Sequence, residues 1–341
     1  MIMVLNRFFR HLVLAVSAIT VLIPINVWAG DYVKNSAENP AVTAVIDAAV
    51  EQGVDRQWAE RVIAHAERKQ SILDAIARPA EKTKPWHEYR QIFLTQKRID
   101  AGVGFAKAHE QTLADVSEKT GVPASVIVSI IGVETFYGRI AGSYRVVDAL
   151  ATLAFDYPPR SPFFTRELEH FLVLAWESGK DPLLLKGSYA GAMGYGQFMP
   201  SSYRAYAVDY DADGIVDIWD NPEDAIYSVA NYFVSHGWQT DGPVVISAVA
   251  DAPDVKIFKA GLKPVFTVGE LKDLGLRPTQ EVPDTALATA LMLAGENAPE
   301  YWLGLDNFYV ITRYNHSAMY AMAVWQLSLG IKDALKLEAI N

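Results

Sequence analysis

Apolar residues near the start of the chain recur with the three- and four-residue spacing of amphipathic helices. The segment 42–50 has this spacing, and Gly53 suits the C-terminal end of a helix. Asp55 can cap a second helix, which carries Trp58 on its apolar face. The pattern therefore predicts a helical N-terminal region.

The same spacing returns over 88–119, where Gly102 and Gly104 are expected to interrupt the helix. A glycine and a proline then break the chain before 123–136, which is almost wholly apolar. A helix that is apolar on all sides is usually buried. We therefore expect 123–136 to lie at the centre of the fold.

The pattern changes in the last third of the chain. Short β-branched runs at 244–249, 255–258 and 265–268 are separated by proline and glycine, which predicts a small β-rich insertion. Helical spacing returns over 285–293 and again over 317–329. These two segments are expected to form helices that pack back on the central ones.

Composition limits the class of protein. With 341 residues, of which 51% are hydrophobic and 21% charged, the chain can bury one large core or those of two to three modest domains. The formal net charge of -10 argues against a nucleic-acid partner, because phosphate binding needs a basic face. The absence of cysteine excludes disulfides, thiol catalysis, thiolate metal sites and a lipid anchor on cysteine.

The first residues are typical of an export signal. Arg7, Arg10 and His11 precede an apolar run at 12–25, and Ala29 offers a small residue for cleavage. Cleavage there predicts a periplasmic or secreted protein with a signal peptide. The alternative is an uncleaved membrane anchor, although the apolar run is short for a membrane span.

Glu134 is the acidic residue near the end of the apolar helix, and Gly138 can terminate that helix. A carboxylate in such surroundings is poorly solvated, which raises its pKa and lets it hold a proton for a leaving group. The local pattern also fits an inert structural glutamate that is buried and hydrogen-bonded. Both interpretations stay open at this point.

A glycine-rich segment at 188–203 allows close approach of the backbone, and Tyr195, Gln197 and Met199 can line a groove there. Glycine-rich loops are common, so this one is weakly informative alone. It lacks the lysine and hydroxyl residue that end a phosphate-binding loop, which argues against nucleotide binding.

An acidic segment at 209–220 has the spacing of an EF-hand calcium loop, with oxygen ligands at alternate positions and Gly214 at the sixth. The predicted ligands are Asp209, Asp211, Asp213, the carbonyl of Ile215, and Asp220 at the twelfth position or Asp224 instead. The alternative is a solvated acidic turn in which Asp220 or Asn221 caps a helix that starts at Pro222. Calcium is expected in a structural role, although magnesium or sodium could also bind.

Four segments together resemble the membrane-bound lytic murein transglycosylase B family. They are Gly-Val-Glu-Thr-Phe-Tyr-Gly-Arg at 132–139, Ala-Gly-Ala-Met-Gly-Tyr-Gly-Gln-Phe-Met-Pro-Ser at 190–201, the tyrosine segment at 86–90 and the aromatic motif at 313–321. Their order matches that of the family.

The resemblance implies a mainly α (α+β) fold with a lysozyme-like catalytic core, a helical N-terminal domain, an EF-hand-like loop and a small β-containing domain. The expected boundaries are 1–29 for the signal peptide, 30–110 for the helical domain, 111–240 for the core with its calcium loop at 209–224, 241–300 for the β-containing domain and 301–341 for a C-terminal segment on the core.

The resemblance also implies an activity, the cleavage of peptidoglycan glycan strands to 1,6-anhydromuramyl ends without water. Glu134 matches the family's sole acid and base. Most glycosidases need a second carboxylate, and Asp148 and Asp156 are candidates, unless they serve as caps or pair with Arg145 or Arg160. The alternatives are a non-catalytic glycan-binding protein and a hydrolytic muramidase.

By motif match, ten further side chains are expected to bind the strand: Tyr89, Arg160, Ser188, Tyr189, Met193, Gln197, Tyr232, Tyr314, Asn315 and Tyr320. For Tyr320, core packing is the stronger alternative. Pro159 stands where the family usually has the first of two arginines, so recognition of the anionic peptide stem is expected to rest on Arg160. In the family the last calcium ligand lies beyond the twelfth position, which favours Asp224. A monomer without lipid anchor, organic cofactor or nucleic-acid partner is expected.

Overall fold

The structure is a computed structural model that describes residues 39–78 and 84–340. The expected signal peptide at 1–29 lies outside the described residues. The described part is mainly helical, as the sequence predicts. Its α-helices are α1 Pro40–Glu51, α2 Arg56–Ala64, α3 Gln70–Ile76, α4 Trp86–Phe93, α5 Gln96–Ala108, α6 Glu110–Thr120, α7 Ala124–Thr135, α8 Val146–Asp156, α9 Ser161–Ser178, α10 Pro200–Tyr206, α11 Pro222–Ser235, α12 Val268–Asp273, α13 Asp306–Tyr314 and α14 Ala318–Ile340.

The second helix begins where the sequence predicts, and the first begins at Pro40, just before the predicted segment 42–50. The side chain of Asn39 accepts a hydrogen bond from the backbone of Ala41 at the start of α1. Asp55 caps α2 by accepting from the Trp58 amide at 2.8 Å. Each cap satisfies an amide that has no partner within the helix.

Gly102 and Gly104 do not interrupt a helix, so that prediction is wrong. Helix α5 runs through both, and the break comes at His109. A Cβ at Gly102 would lie 2.5 Å from the hydroxyl oxygen of Tyr137 and 2.7 Å from Ile331. The missing side chain therefore lets α5 pack closely against the loop after α7 and against α14.

Helix α7 is the central helix, as its apolar pattern predicts. Every residue from Val126 to Val133 is buried. Helices α5, α6, α11 and α14 pack around it. Since burial of apolar surface is the main driving force of folding, this packing fixes the position of the residues at the C-terminal end of α7.

A five-stranded antiparallel sheet lies beside the helices, in the order β4-β6-β7-β3-β5. Its strands are β3 Val245–Ala250, β4 Phe266–Thr267, β5 Leu276–Pro278, β6 Leu287–Ala294 and β7 Pro299–Gly304. A separate two-stranded ribbon pairs β1 Tyr144–Arg145 with β2 Lys186–Gly187. Both belong to the described residues.

The five-stranded sheet separates two hydrophobic clusters. Leu291 and Trp302 on one face pack against the main helical core. Ile246, Ala290 and Leu303 on the other face belong to a smaller cluster inside the β-containing region. This division follows the alternation of side chains along a strand.

Two predictions in this region are wrong and one holds in part. The segment 285–293, predicted as a helix, forms β6 instead. The run 255–258 is not a strand but leads into a 3-10 turn at Ile257–Lys259. The run 265–268 contributes only the two residues of β4 before α12 begins, because Thr267 and Glu270 form a capping box at the start of that helix.

Within the described residues, no single helix is long and apolar enough to cross a membrane. Helices α6 and α7 meet that criterion only as a pair, across a bend of 115°.

Candidate active site

Glu134 lies in the last turn of α7 and is half-buried. Its Oε1 accepts a hydrogen bond of 2.5 Å from the hydroxyl of Tyr320 on α14. Tyr320 is 2% exposed, so its ring is held within the core. The packing of α7 on α14 therefore sets the position of the carboxylate.

The backbone after Glu134 turns sharply through left-handed conformations. Phe136 and Tyr137 have φ angles of 51° and 62°, and Gly138 follows at 83°. The Thr135 hydroxyl donates to the carbonyl of Tyr195 at 2.9 Å and accepts from the Gly138 amide at 2.9 Å. Left-handed residues other than glycine cost about 1–2 kcal/mol each. Thr135 thus ties this strained turn to the glycine-rich segment.

The glycine-rich segment at 188–203 lies against Tyr314 and against the acidic loop at 209–220. A Cβ at Gly194 would lie 2.3 Å from the carbonyl oxygen of Ile218, and one at Gly196 would lie 2.7 Å from the hydroxyl of Tyr314. Tyr314 uses this closeness to donate to the Gly196 carbonyl at 2.6 Å. The glycines are therefore required for close backbone approach, as the sequence indicates.

Tyr320 and Tyr314 lie near the carboxylate, Tyr232 packs on Tyr314 with ring centroids 4.8 Å apart, and all three remain protonated. Burial raises the pKa of Tyr320 well above its ordinary value, and the negative charge of Glu134 raises it further. The same two causes, in the same order, raise the pKa of Tyr314. Burial raises the pKa of Tyr232 to about 12. A phenol that stays protonated remains a hydrogen-bond donor, so the Tyr320 hydroxyl can hold the Glu134 carboxylate over a wide pH range.

The other predicted binding residues fall into two groups. Tyr89 and Tyr232 are almost fully buried, and the Tyr232 hydroxyl donates to the carbonyl of Arg313 at 2.6 Å. The second group is half-buried or exposed and comprises Arg160, Ser188, Tyr189, Gln197 and Asn315. Members of this second group have side-chain surface that a ligand can reach.

Two members of the accessible group also hold the backbone of the site. Gln197 has a φ of 51°, and its side-chain amide donates to the carbonyls of Ala141 and Gly194 at 3.1 and 3.0 Å. The Ser188 hydroxyl accepts from the Ala192 amide at 3.1 Å. Gln197 therefore links the glycine-rich segment to the turn that follows Glu134.

Met193 does not lie where a ligand could touch it. Its side chain has no exposed surface, and its backbone forms bridges to Gly187 and Phe198. The expected contact between Met193 and the strand therefore has no support in the structure. Its place in the glycine-rich motif reflects packing, because a flexible thioether fills irregular gaps in a core.

The two candidate second carboxylates are held by arginines. Asp148 is 2% exposed and receives two hydrogen bonds from Arg145, at 2.8 and 2.7 Å. Asp156 pairs with Arg68 at 3.3 Å. It does not pair with Arg160, which the sequence offered as a partner. Both carboxylate oxygens of Asp148 are engaged by one guanidinium, the geometry of a bidentate arginine pair. The pairing of Asp148 with Arg145 is therefore structural.

The acidic loop brings three of the predicted metal ligands together. The carboxylate oxygens of Asp209, Asp211 and Asp213 lie within 4.8 Å of one another. Asp209 Oδ1 is buried and has no hydrogen-bond partner among the described residues. A buried carboxylate oxygen without a donor is costly, and a hard cation such as calcium satisfies it. The residues therefore fit the ion that the sequence predicts.

Asp220 and Asp224 lie outside this cluster of three. The Asp220 side chain is exposed, whereas Asp224 is fully buried and accepts from the amides of Tyr210 and Asp217 at 2.8 and 2.7 Å. The pKa of Asp224 is raised overall. Burial is the largest cause, the two amide hydrogen bonds oppose it, and the charges of Asp211 and Asp209 raise the pKa further. Asp224 therefore lies close to the acidic cluster, which favours it over Asp220.

The side chain at the ninth loop position is engaged by protein groups. Asp217 accepts from Lys180 at 2.8 Å and from the amides of Trp219 and Asp220 at 2.9 and 3.0 Å. Asn221 caps α11, which starts at Pro222. This is one of the two caps that the sequence offered for this helix. The helix cap and the acidic cluster thus coexist in one loop.

Sequence reasoning missed a cleft of about 620 Å³ between the sheet and helices α4 and α14. Its walls include Trp302, Trp325 and an ion pair of 3.3 Å between Arg90 and Glu300. On the α4 side, Arg90 lines the cleft. No local pattern could have revealed it, because its walls come from five separate segments.

Comparison with known proteins identifies the family. The family model described as Transglycosylase SLT domain matches residues 37–329. The chain is 45% identical over 305 residues to membrane-bound lytic murein transglycosylase B of Escherichia coli (strain K12), which covers 86% of this chain and 83% of that protein.

Two solved structures are similar in sequence and in fold. Soluble lytic transglycosylase SltB1 of Pseudomonas aeruginosa has a TM-score of 0.80 at 52% identity, covering 86% of this chain and 99% of that one. Escherichia coli lytic transglycosylase Slt35 in complex with calcium has a TM-score of 0.81 at 44% identity, covering 90% and 96%. These matches confirm the lysozyme-like fold that the four motifs imply. The chain therefore belongs to the transglycosylase SLT domain family and is an enzyme of the lytic transglycosylase class.

Proposed function

We propose that this enzyme cleaves the β-1,4 bond between N-acetylmuramic acid and N-acetylglucosamine in peptidoglycan without consuming water, and that Glu134 is its one acid and base. The observation that carries the proposal is the half-buried Glu134 carboxylate held by the hydroxyl of the buried Tyr320. The engagement of Asp148 and Asp156 by arginines supports a mechanism with a single carboxylate.

Glu134 first donates its proton to the bridging oxygen, and the bond between that oxygen and muramyl C1 breaks. The 2-acetamido group stabilises the oxocarbenium-like state, which replaces the second protein carboxylate of ordinary glycosidases. The Glu134 carboxylate then takes the proton of the muramyl C6 hydroxyl, and that oxygen bonds to C1. Glu134 ends the reaction protonated as it began, because the proton that it takes from the C6 hydroxyl replaces the one that it donated.

The accessible residues around Glu134 are the proposed contacts for the strand. Tyr189, Gln197, Ser188 and Asn315 offer hydroxyl and amide groups at the surface, and Tyr189 also offers a ring face for sugar. We assign Tyr89, Tyr232, Tyr314 and Tyr320 to the walls and floor of the groove. Arg160 lies over the rings of Phe163 and Phe164 with its side chain exposed, which suits contact with a peptide carboxylate.

The substrate class is supported by a further solved relative. SltB3 of Pseudomonas aeruginosa, with a TM-score of 0.75 at 32% identity over 85% of this chain and 78% of that one, is in complex with NAG-anhNAM-pentapeptide. Peptidoglycan lies in the cell envelope, so we propose that the enzyme acts in the periplasm. We also propose that it acts as a monomer.

Digestion of purified sacculi followed by mass analysis of the muropeptides tests this function. The muramyl ends are expected to be lighter by one water than reducing ends, because the C6 oxygen closes the ring. Reducing ends as the first product would instead identify a hydrolytic muramidase. Strand binding without any cleavage would identify a non-catalytic glycan-binding protein.

The acidic loop is proposed to hold calcium through Asp209, Asp211, Asp213, the Ile215 carbonyl and Asp224. The ion would neutralise the clustered carboxylates and brace the glycine-rich segment, since Gly194 packs on Ile218 in the same loop. Its role is structural, because Glu134 carries the chemistry.

Calcium is expected to raise the melting temperature by roughly 5–10 °C when its concentration is well above Kd. The double substitution of Asp209→Ala and Asp213→Ala removes the ligands and should abolish the rise. The matched control combines Asp251→Ala with Asp273→Ala, two exposed aspartates outside the loop, and should keep it. A melting curve insensitive to both calcium and chelator would contradict the metal site.

A further inference from the structure

Three cations surround one aromatic ring beside the catalytic glutamate. The charged groups of Lys97, Arg98 and Arg139 lie 5.8, 5.1 and 5.4 Å from the ring centroid of Phe136. We call these three residues the cation cluster. Lys97 and Arg98 stand in the first turn of α5, and Arg139 follows the turn after α7. The fold therefore brings together charges from two separate segments.

The charge of the cation cluster is not balanced by the protein. Within residues 39–78 and 84–340, no carboxylate lies at ion-pair distance from any of its three members. Elsewhere in this acidic chain cations do pair with acids, as in Arg145 with Asp148 and Lys180 with Asp217. Three uncompensated positive charges in a protein of net charge -10 make a local site for an anion.

Arg98 is the most constrained member of the cluster. It is half-buried, its Nη1 donates to the carbonyl of Ile92 at 3.2 Å, and its buried Nε has no hydrogen-bond partner in the described part of the chain. Burial lowers the pKa of this guanidinium, so holding it charged has a cost. An anion at the cluster would offset that cost.

Aromatic contacts extend from the cluster to α4, and the ring at its centre lies close in sequence to the catalytic carboxylate. The Arg98 guanidinium also lies 5.1 Å from the ring of Phe93, and that ring lies 5.3 Å from Tyr89. Phe136 itself stands two residues after Glu134, so their Cα atoms are at most about 7.6 Å apart. The cluster therefore surrounds a residue that lies close along the backbone to the one that carries the carboxylate.

We propose that the cation cluster binds the free carboxylates of the peptide stem on the muramyl residue that Glu134 attacks. This inference rests on the proposed function and adds a specificity site to it. The stem leaves the lactyl group of the sugar and carries several carboxylates, which matches the several charges of the cluster. Lys97 and Arg139 are exposed and can bind these groups directly, while Arg98 reinforces the local positive potential.

The competing explanation is that the cations only stabilise the left-handed turn at Phe136. Cation–π contacts at exposed sites contribute about 0.5–1 kcal/mol each. That role would affect the melting temperature and would act equally on every substrate. A role in binding the stem would instead affect only the cleavage of strands that carry peptides.

The test compares two glycan substrates, purified strands with intact stems and the same strands after an amidase has removed the stems. The variant combines Lys97→Gln with Arg139→Gln and leaves the half-buried Arg98 in place. Its KM for stem-bearing strands is expected to rise at least about tenfold with little change in kcat, because each lost contact is a charged one. Its KM for stem-free strands should stay at the wild-type value.

The matched control combines Arg166→Gln with Lys263→Gln, two exposed cations on α9 and before β4 that remove the same charge. It is expected to behave as wild type on both substrates, which separates the cluster from an effect of net charge. An unchanged KM for stem-bearing strands, or an equal rise for both substrates, overturns the proposal. Absence of cleavage by the wild-type enzyme on either substrate would overturn the proposed function itself.

Discussion

Glu134→Gln is expected to abolish cleavage of glycan strands, with turnover at least about 10³-fold below wild type. General acid–base catalysis by one side chain contributes about 10²–10⁴-fold, and in the proposed mechanism the same carboxylate acts in both steps. Glutamine has the same shape, and its oxygen can still accept the hydrogen bond from Tyr320 that the glutamate accepts. Binding of strands and the melting temperature should therefore change little.

The measurement is the release of soluble muropeptides from sacculi, together with sedimentation of each protein with sacculi. Glu169→Gln is the matched control, because Glu169 is also half-buried and hydrogen-bonded but lies on α9, where it accepts from Gln52. It should retain full activity. Turnover by Glu134→Gln near the wild-type rate would exclude Glu134 as the acid.

Tyr320→Phe is expected to lower kcat by about ten- to a hundredfold, because a hydrogen bond to a charged group contributes about 1.5–3 kcal/mol. The ring stays in the core, since phenylalanine fills nearly the same volume. The carboxylate of Glu134 loses the donor that fixes its orientation. Strand affinity should be almost unaffected.

Tyr203→Phe is the control for a buried tyrosine, since its hydroxyl donates to the carbonyl of Val216 at 2.8 Å in the acidic loop. Steady-state kinetics and thermal melting of both variants separate an effect on the orientation of the Glu134 carboxylate from an effect on the stability of the fold. The control should lose stability but keep kcat. A normal kcat in Tyr320→Phe would show that Tyr320 only packs in the core, which is the alternative that the sequence left open.

The helical half of the fold was predictable because its signals are local. The cap at Asp55 and the apolar run of α7 each lie within one helix or beside it. The segment 285–293 misled the prediction for a physical reason. Strand β6 lies in the interior of the sheet with apolar side chains on both faces, so the alternation that marks a half-exposed strand is missing.

The candidate site was predictable only in part. Glu134 is conspicuous in the sequence, but its partner Tyr320 is 186 residues away, and no spacing rule relates the two. The family resemblance placed Tyr320 among the expected strand-binding residues but did not relate it to Glu134. It also named Met193, whose place in the motif follows from packing in the core.

The cation cluster could not be read from the sequence at all. Lys97, Arg98 and Arg139 are unremarkable singly, since most cations on a protein surface are paired or solvated. Their significance comes from the turn at Phe136, which places one ring among all three. Only the folded chain shows that, among residues 39–78 and 84–340, no acid pairs with them.

The most direct test of the central claim is digestion of sacculi in water enriched in ¹⁸O, with mass analysis of the first products. If Glu134 moves a proton from the C6 hydroxyl to the leaving oxygen, the muramyl ends are anhydro sugars and contain no ¹⁸O. One ¹⁸O at muramyl C1 for each bond cut would show that water is the attacking group, and would contradict the account.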